Sequence, residues 1–296
     1  MLSMMGCNEG KMKQEKIVHD DRPNIIFFMA DDLGYGEAGA YGQQIIQTPH
    51  IDALAENGML FTQHYSGAPV CAPARCVLLT GKHTGHAYIR GNDAMKERGD
   101  VWDYKKASED PFLEGQRNLP AGTVTLGKVL QDAGYTTSVF GKWGLGGPET
   151  SGIPTLQGFD TFYGYNCQRQ AHNLYPPHLW DNTKKVLLNN ALVAPSTKLE
   201  PNADPYDESS YDLFRQQEYA PEKIHEKALD FIEKNKEKPF FMYYASPLPH
   251  LPLQVPAEAL EAYPDLMKEE TPYTGDKGYF PNPYPRTTYA AMISTL

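Results

Sequence analysis

The chain is predicted to fold as an α/β protein with a mostly parallel central sheet and helices on both faces. Two features carry that expectation. Residues 24–30 and 240–245 are apolar runs of strand length, and 135–140 is a further segment of strand length, with helical patterns between them. Each run also leads into polar residues, at Asp31-Asp32, Lys142 and His250. Open α/β sheets take their ligands at the carboxyl ends of such strands.

Composition sets the bounds. The 296 residues suffice for one large α/β domain or two small ones. With 41% hydrophobic and 22% charged residues, the chain reads as ordinarily globular. A net charge of −10 argues against a nucleic-acid partner. No apolar run approaches the ~20 residues of a membrane span. The four cysteines, Cys7, Cys71, Cys76 and Cys167, lack zinc-site spacing. Cys76 and Cys167 either pair or stay free.

Residues 1–21 are polar and patternless, and read as a disordered tether or signal remnant. Met4-Met5-Gly6-Cys7 within them resembles the end of a bacterial lipoprotein signal, with Cys7 as the lipidated residue. That implies an exported protein, periplasmic or membrane-anchored.

Residues 24–30 read as a central strand, doubly covered. Asp31 and Asp32 at its end repel each other unless a cation neutralises them, and their hard oxygens suit calcium or magnesium. Asp-Asp-Leu-Gly is also turn chemistry. Thr48-Pro49-His50 opens a helix that stops at Gly58, with Ile51, Leu54 and Ala55 on its apolar face. Met59-Leu60-Phe61-Thr62 reads as a short strand.

Next comes Cys71-Ala72-Pro73-Ala74-Arg75, then Leu78-Leu79-Thr80-Gly81. Pro73 suits the first turn of a helix, which puts Cys71 at the helix N-terminus, where backbone N–H groups favour an anion. Arg75, one turn along, adds a fork of donors for a tetrahedral oxyanion. Arg90 and Asn92 follow in a polar stretch, as candidates to face a substrate or as solvated loop residues. Residues 93–118 read as a surface insertion.

Residues 125–133 read as a helix and 135–140 as the next strand, ending at Gly141-Lys142-Trp143-Gly144. Gln168-Arg169-Gln170-Ala171-His172 lies in a later loop. Residues 221–235 are an amphipathic helix with Ile224, Ala228, Phe231 and Ile232 on one face. The run 240–245 leads to Pro249-His250, and a last helix occupies 287–296.

Cys-x-Pro-x-Arg with Leu-Leu-Thr-Gly resembles the signature of type I sulfatases, in the alkaline phosphatase superfamily. The resemblance runs from about Arg22 to the end and implies the following. Residues 22–296 form the amino-terminal portion of a sulfatase catalytic domain. Cys71 is oxidised to formylglycine (3-oxoalanine) by a maturation enzyme, and its hydrated aldehyde is the nucleophile. Asp31, Asp32 and residue 71 bind one calcium ion, magnesium being the alternative, with no organic cofactor. Arg75 and Lys142 hold the sulfate, and His250 is the acid for the leaving alcohol. A branch with Gly-Lys-Trp-Gly-Leu-Gly also has a Gln-x-x-Ala-His segment, in which His172 either faces the site or hydrogen-bonds within its loop. The sequence departs at Gly144, where the usual pattern has a histidine. The family's later Asp-Asn pair is also missing, since Asp181-Asn182 precedes His250 and follows no apolar run.

The implied reaction is hydrolysis of aryl or carbohydrate sulfate esters. The alternatives are a phosphonate or phosphodiester hydrolase with the same nucleophile, and an inactive fragment. In a fragment, Met292 and Ile293 of the last helix are expected to lie uncovered.

Overall fold

A computed structural model describes residues 21–268 and 270–296. The expected lipidation at Cys7 lies outside them, as does nearly all of the expected tether.

The elements follow in chain order. They are β1 (Ile25–Asp31), α1 (Pro49–Asn57), α2 (Cys71–Thr80), α3 (Tyr104–Glu109), α4 (Leu126–Asp132) and β2 (Thr136–Lys142). Then come β3 (Thr161–Tyr165), β4 (His178–Asp181), β5 (Lys184–Leu187), α5 (Ala220–Asn235), β6 (Phe240–Pro249), α6 (Pro264–Met267) and α7 (Pro285–Ser294). One six-stranded sheet has the order β1-β6-β2-β3-β4-β5. Strands β1, β6, β2 and β3 pair in parallel, and β4 and β5 add an antiparallel hairpin.

Side chains along β6 alternate between two cores, as strand geometry requires. Phe241, Tyr243 and Ala245 pack with Ala72, Cys76 and Leu79 of α2. Phe240 and Met242 pack with Ile224, Ala228 and Phe231 of α5. Helices therefore cover both faces, as expected. A third core joins Ala290, Ala291 and Met292 of α7 to Leu174, Tyr219 and Leu248.

Several expectations are corrected. Among the described residues β1 lies at the sheet edge, not its centre. Ile25, Phe27 and Met29 face the α2 core, whereas Ile26 and Phe28 stay about half exposed. An apolar run reports hydrophobicity on both faces, and only pairing decides which strand is central. Residues 59–62 form no strand, since no neighbour pairs with them, and Met59 is 76% exposed. Leu54 faces solvent rather than a core. The 93–118 segment is built into the structure. It carries α3, an Ala94–Gln116 bridge and the buried Glu114, which accepts from His178 Nε2 at 2.9 Å and Trp180 Nε1 at 2.8 Å. Asp181 ends strand β4, and Asn182 lies in the turn to β5. Met292 and Ile293 are buried, at 0% and 1% exposure, because α7 packs against the β6 exit. Cys76 and Cys167 are buried free thiols.

Candidate active site

Sheet register assembles the site. Met29 of β1 and Gly141 of β2 both pair with Ala245 of β6. Asp31, Lys142 and His250 follow within a few residues, so they emerge together at the carboxyl end of the sheet. Gly141 sits at φ +111°, and a Cβ there would meet the Ala245 carbonyl oxygen at 2.0 Å. Only glycine lets the two strands approach this closely at that point.

Helix α2 brings Cys71 to the same place as its first residue. The turn before it supplies no side-chain cap. Instead the Ala72 N–H donates to Asn92 Oδ1 at 2.9 Å, which satisfies one of the free donors of the first turn. At the far end Gly81 takes the left-handed conformation, φ +63°, and its N–H returns to the Val77 carbonyl.

Around Cys71 the charges interlock. Lys142 Nζ lies 2.5 Å from Asp31 Oδ2 and 3.5 Å from Cys71 Sγ. Arg75 lies 3.4 Å from Asp31 Oδ1 and donates to the Lys142 carbonyl at 2.5 Å. Lys142, Arg75 and Asp31 are all buried, at 0%, 1% and 5% exposure. The Nε of Arg75 has no hydrogen-bond partner. Buried charges of this kind persist only when paired. Burial pushes the Asp31 carboxyl up, but Lys142 and Arg75 outweigh it and hold it at about 2. Burial likewise raises the Cys71 thiol, while a His250 hydrogen bond and the Lys142 charge bring it below its ordinary value.

His250 completes the group. Its Nδ1 donates to the Leu251 carbonyl at 2.5 Å, which leaves Nε2 facing inward. Burial lowers its affinity for a proton, but Cys71 and Asp31 outweigh that and leave it raised. His172 stacks on it, ring centroids 5.0 Å apart and 7° from parallel. Burial, with the charges of Lys142 and His250, depresses His172 to about 3, so it stays neutral. Tyr279 sets its ring edge-on against both imidazoles.

Ligating atoms of Asp31, Cys71 and His250 lie within 4.8 Å of one another. Asp32 stands outside that group. It sits at φ +63°, its side chain is 66% exposed, and its Oδ2 lies 3.5 Å from His250 Nε2. Two carboxylates on consecutive residues, with residue 71 beside Asp31, fit a divalent cation by donor chemistry.

The structure thus brings together Asp31, Cys71, Arg75, Lys142, His250 and His172, with Asp32 at the rim. Asn92 is exposed and accepts the Ala72 N–H at the helix start. Arg90 does not join them, since its guanidinium donates to the Gly85 and Ala87 carbonyls of its own loop. Two neighbours were not anticipated. Tyr279 lies in a proline-rich loop without periodicity, where no local pattern marks it. Gln168 was legible only as the first residue of the Gln-x-x-Ala-His segment.

Comparison with known proteins places this constellation. The family model described as Sulfatase matches residues 23–295. The chain is 39% identical to the steryl-sulfatase of Homo sapiens over 148 residues, 48% of this chain and 23% of that protein. The structure of Ps i-CgsB in complex with k-i-k-neocarrahexaose superposes with a TM-score of 0.65 at 25% identity. It covers 92% of this chain and 52% of that one. A further structure, of a protein in complex with its substrate D-glucosamine-2-N,6-O-disulfate, gives a TM-score of 0.55 at 26% identity. It covers 84% of this chain and 40% of that one. The chain therefore spans between about a quarter and about half of the length of these proteins.

Proposed function

The chain belongs to the sulfatase family, and from that premise we propose that it hydrolyses sulfate esters with a nucleophile made from Cys71. The observation that carries the reading is the meeting of Cys71 with Lys142 and the fully buried Arg75 at one helix N-terminus. A sulfate ester is a tetrahedral anion whose three free oxygens carry the negative charge as sulfur is attacked in line, and fixed buried cations stabilise such charge without reorganising. The unpartnered Arg75 Nε leaves a donor for it.

Oxidation of Cys71 to formylglycine by a maturation enzyme would supply a hydrated aldehyde; one of its two hydroxyl oxygens attacks sulfur as the ester S–O bond breaks, and the second hydroxyl then expels sulfate by C–O cleavage and restores the aldehyde. Each of the chain's own residues then has a task. Lys142 and Arg75 spread the charge that develops on the sulfate oxygens. His250 Nε2, with a raised proton affinity, gives its proton to the departing alcohol oxygen as the S–O bond breaks. His172, neutral and stacked on it, holds that ring in place.

Asp31 and Asp32 would hold a divalent metal, calcium before magnesium, together with residue 71. The ion would supply Lewis-acid polarisation of the sulfate. The substrate class proposed is a sulfated carbohydrate or an aryl sulfate. One structural neighbour is complexed with a disulfated glucosamine as its substrate, which supports the carbohydrate form. Export, with a lipid on Cys7, is proposed from the Met4-Met5-Gly6-Cys7 pattern.

The test is turnover of matched aryl sulfate and aryl phosphonate esters by protein produced with a maturation enzyme. Preference for the sulfate supports the reading. Preference for the phosphonate transfers the same site to phosphonate or phosphodiester hydrolysis.

A further inference from the structure

Three facts converge on Gln168. Its side chain is buried, at 2% exposure, in the loop after β3. Its Nε2 donates to Asn92 Oδ1 at 3.2 Å, the same oxygen that takes the Ala72 N–H. Its Oε1, also buried, has no partner. A buried amide oxygen left unpaired costs roughly 1–3 kcal/mol; what sets Gln168 apart from other buried amides with an unpaired oxygen, such as Gln157, is its bond to the residue that holds the Ala72 N–H beside Cys71.

Gly144 explains how Gln168 gets there. It sits at φ +74°, two residues past Lys142, and a Cβ on it would meet Gln168 Cγ at 2.7 Å and Nε2 at 2.8 Å. The glutamine occupies the volume that any side chain at 144 would need. Its backbone is fixed too, since its N–H donates to the buried Gln116 Oε1 at 2.9 Å. The side chain is therefore anchored at both ends, with one acceptor left over.

We propose that Gln168 is a positioning residue for residue 71. Through Asn92 it fixes the Ala72 N–H and with it the start of α2. Its spare Oε1 accepts a hydrogen bond from a hydroxyl at the nucleophile. This rests on the proposed function, because only a matured residue 71 carries that hydroxyl. No bond to carbon or sulfur is made or broken by Gln168; it orients a proton donor.

The experiment compares matured wild-type protein with Gln168→Met, which keeps the volume and loses the acceptor. Gln157→Met serves as a control, because Gln157 is also a buried glutamine with an unpartnered Oε1, bonded instead to Pro120 and Ser151 carbonyls. Three quantities are read: the melting temperature, kcat and KM on an aryl sulfate, and the rate at which residue 71 reacts with an aminooxy probe for free aldehyde. For Gln168→Met we expect kcat to fall roughly 10- to 100-fold, the worth of one hydrogen bond to a polarised partner, with KM little changed. Probe labelling should speed up as the hydrate loses its acceptor. Gln157→Met should lower the melting temperature alone. The proposal is overturned if Gln168→Met keeps the wild-type kcat and labelling rate, or if both variants lose activity only in proportion to stability. Wild-type protein without aldehyde at residue 71, or without turnover, would instead overturn the underlying reading of the site.

Discussion

Lys142 Nζ and Asp31 Oδ2 meet at 2.5 Å with both side chains buried. Neither charge is affordable alone at that depth. Lys142→Met should therefore destabilise the protein by about 3–5 kcal/mol, the usual cost of breaking a buried pair. Arg75 remains beside Asp31 and moves the value toward the low end. Adding Asp31→Asn to Lys142→Met should cost less than the two single changes summed, because the second removes the orphaned charge. Denaturant unfolding of all four proteins completes the cycle, and additive costs would rule out the coupling.

Stability should fall with acid through His172. Its folded pKa, about 3, lies below the ordinary imidazole value of 6.5. Between those values the unfolded chain binds the proton and the folded chain does not. The linkage relation then makes stability rise with pH, so the contribution is fully present above 6.5 and drains away as pH falls toward 3. His172→Asn should flatten that part of the profile. A melting series from neutral to acid pH shows whether the slope differs between the two proteins.

Metal binding should be visible without any turnover. A cation that binds only the folded state must raise stability, by about 2.7 kcal/mol at a hundred times its Kd. Calcium should raise the melting temperature, a chelator should reverse it, and Asp31→Asn or Asp32→Asn should blunt the response. Equal shifts in wild type and both variants would remove these carboxylates from the site.

Met292 should behave as a core residue. It is fully buried against Leu248 and Tyr219. Met292→Ala should cost about 2–5 kcal/mol, since methionine deletion leaves a cavity the surroundings only partly fill. A loss below 1 kcal/mol would mean that α7 is loosely docked.

Much of this was legible in the sequence, for identifiable reasons. Strand ends, glycine stops and the Cys-x-Pro-x-Arg frame are local signals, so β2, β6, α2, α4 and α5 fall where the pattern put them. The grouping of Asp31, Lys142 and His250 was foreseeable because parallel strands deliver their ends to one edge. What could not be read was pairing. The run at 24–30 looks like a central strand, yet its neighbour is β6 on one side only, among the described residues. The 93–118 segment has no periodicity, and its buried Glu114 is explained only by His178 and Trp180, over sixty residues away. Gln168 was equally opaque, because its role depends on the absence of a side chain at Gly144. Met292 and Ile293, in the helix expected over 287–296, were expected uncovered in a fragment, but both are buried, Met292 in one core with Leu248 and Tyr263.

The most direct measurement is the mass of the peptide spanning Cys71, from protein made with a maturation enzyme and shown to release sulfate from an aryl sulfate. The predicted result is a residue 71 whose thiol has been replaced by an aldehyde. An unmodified thiol at Cys71 in protein that releases sulfate at full rate would contradict the proposed nucleophile.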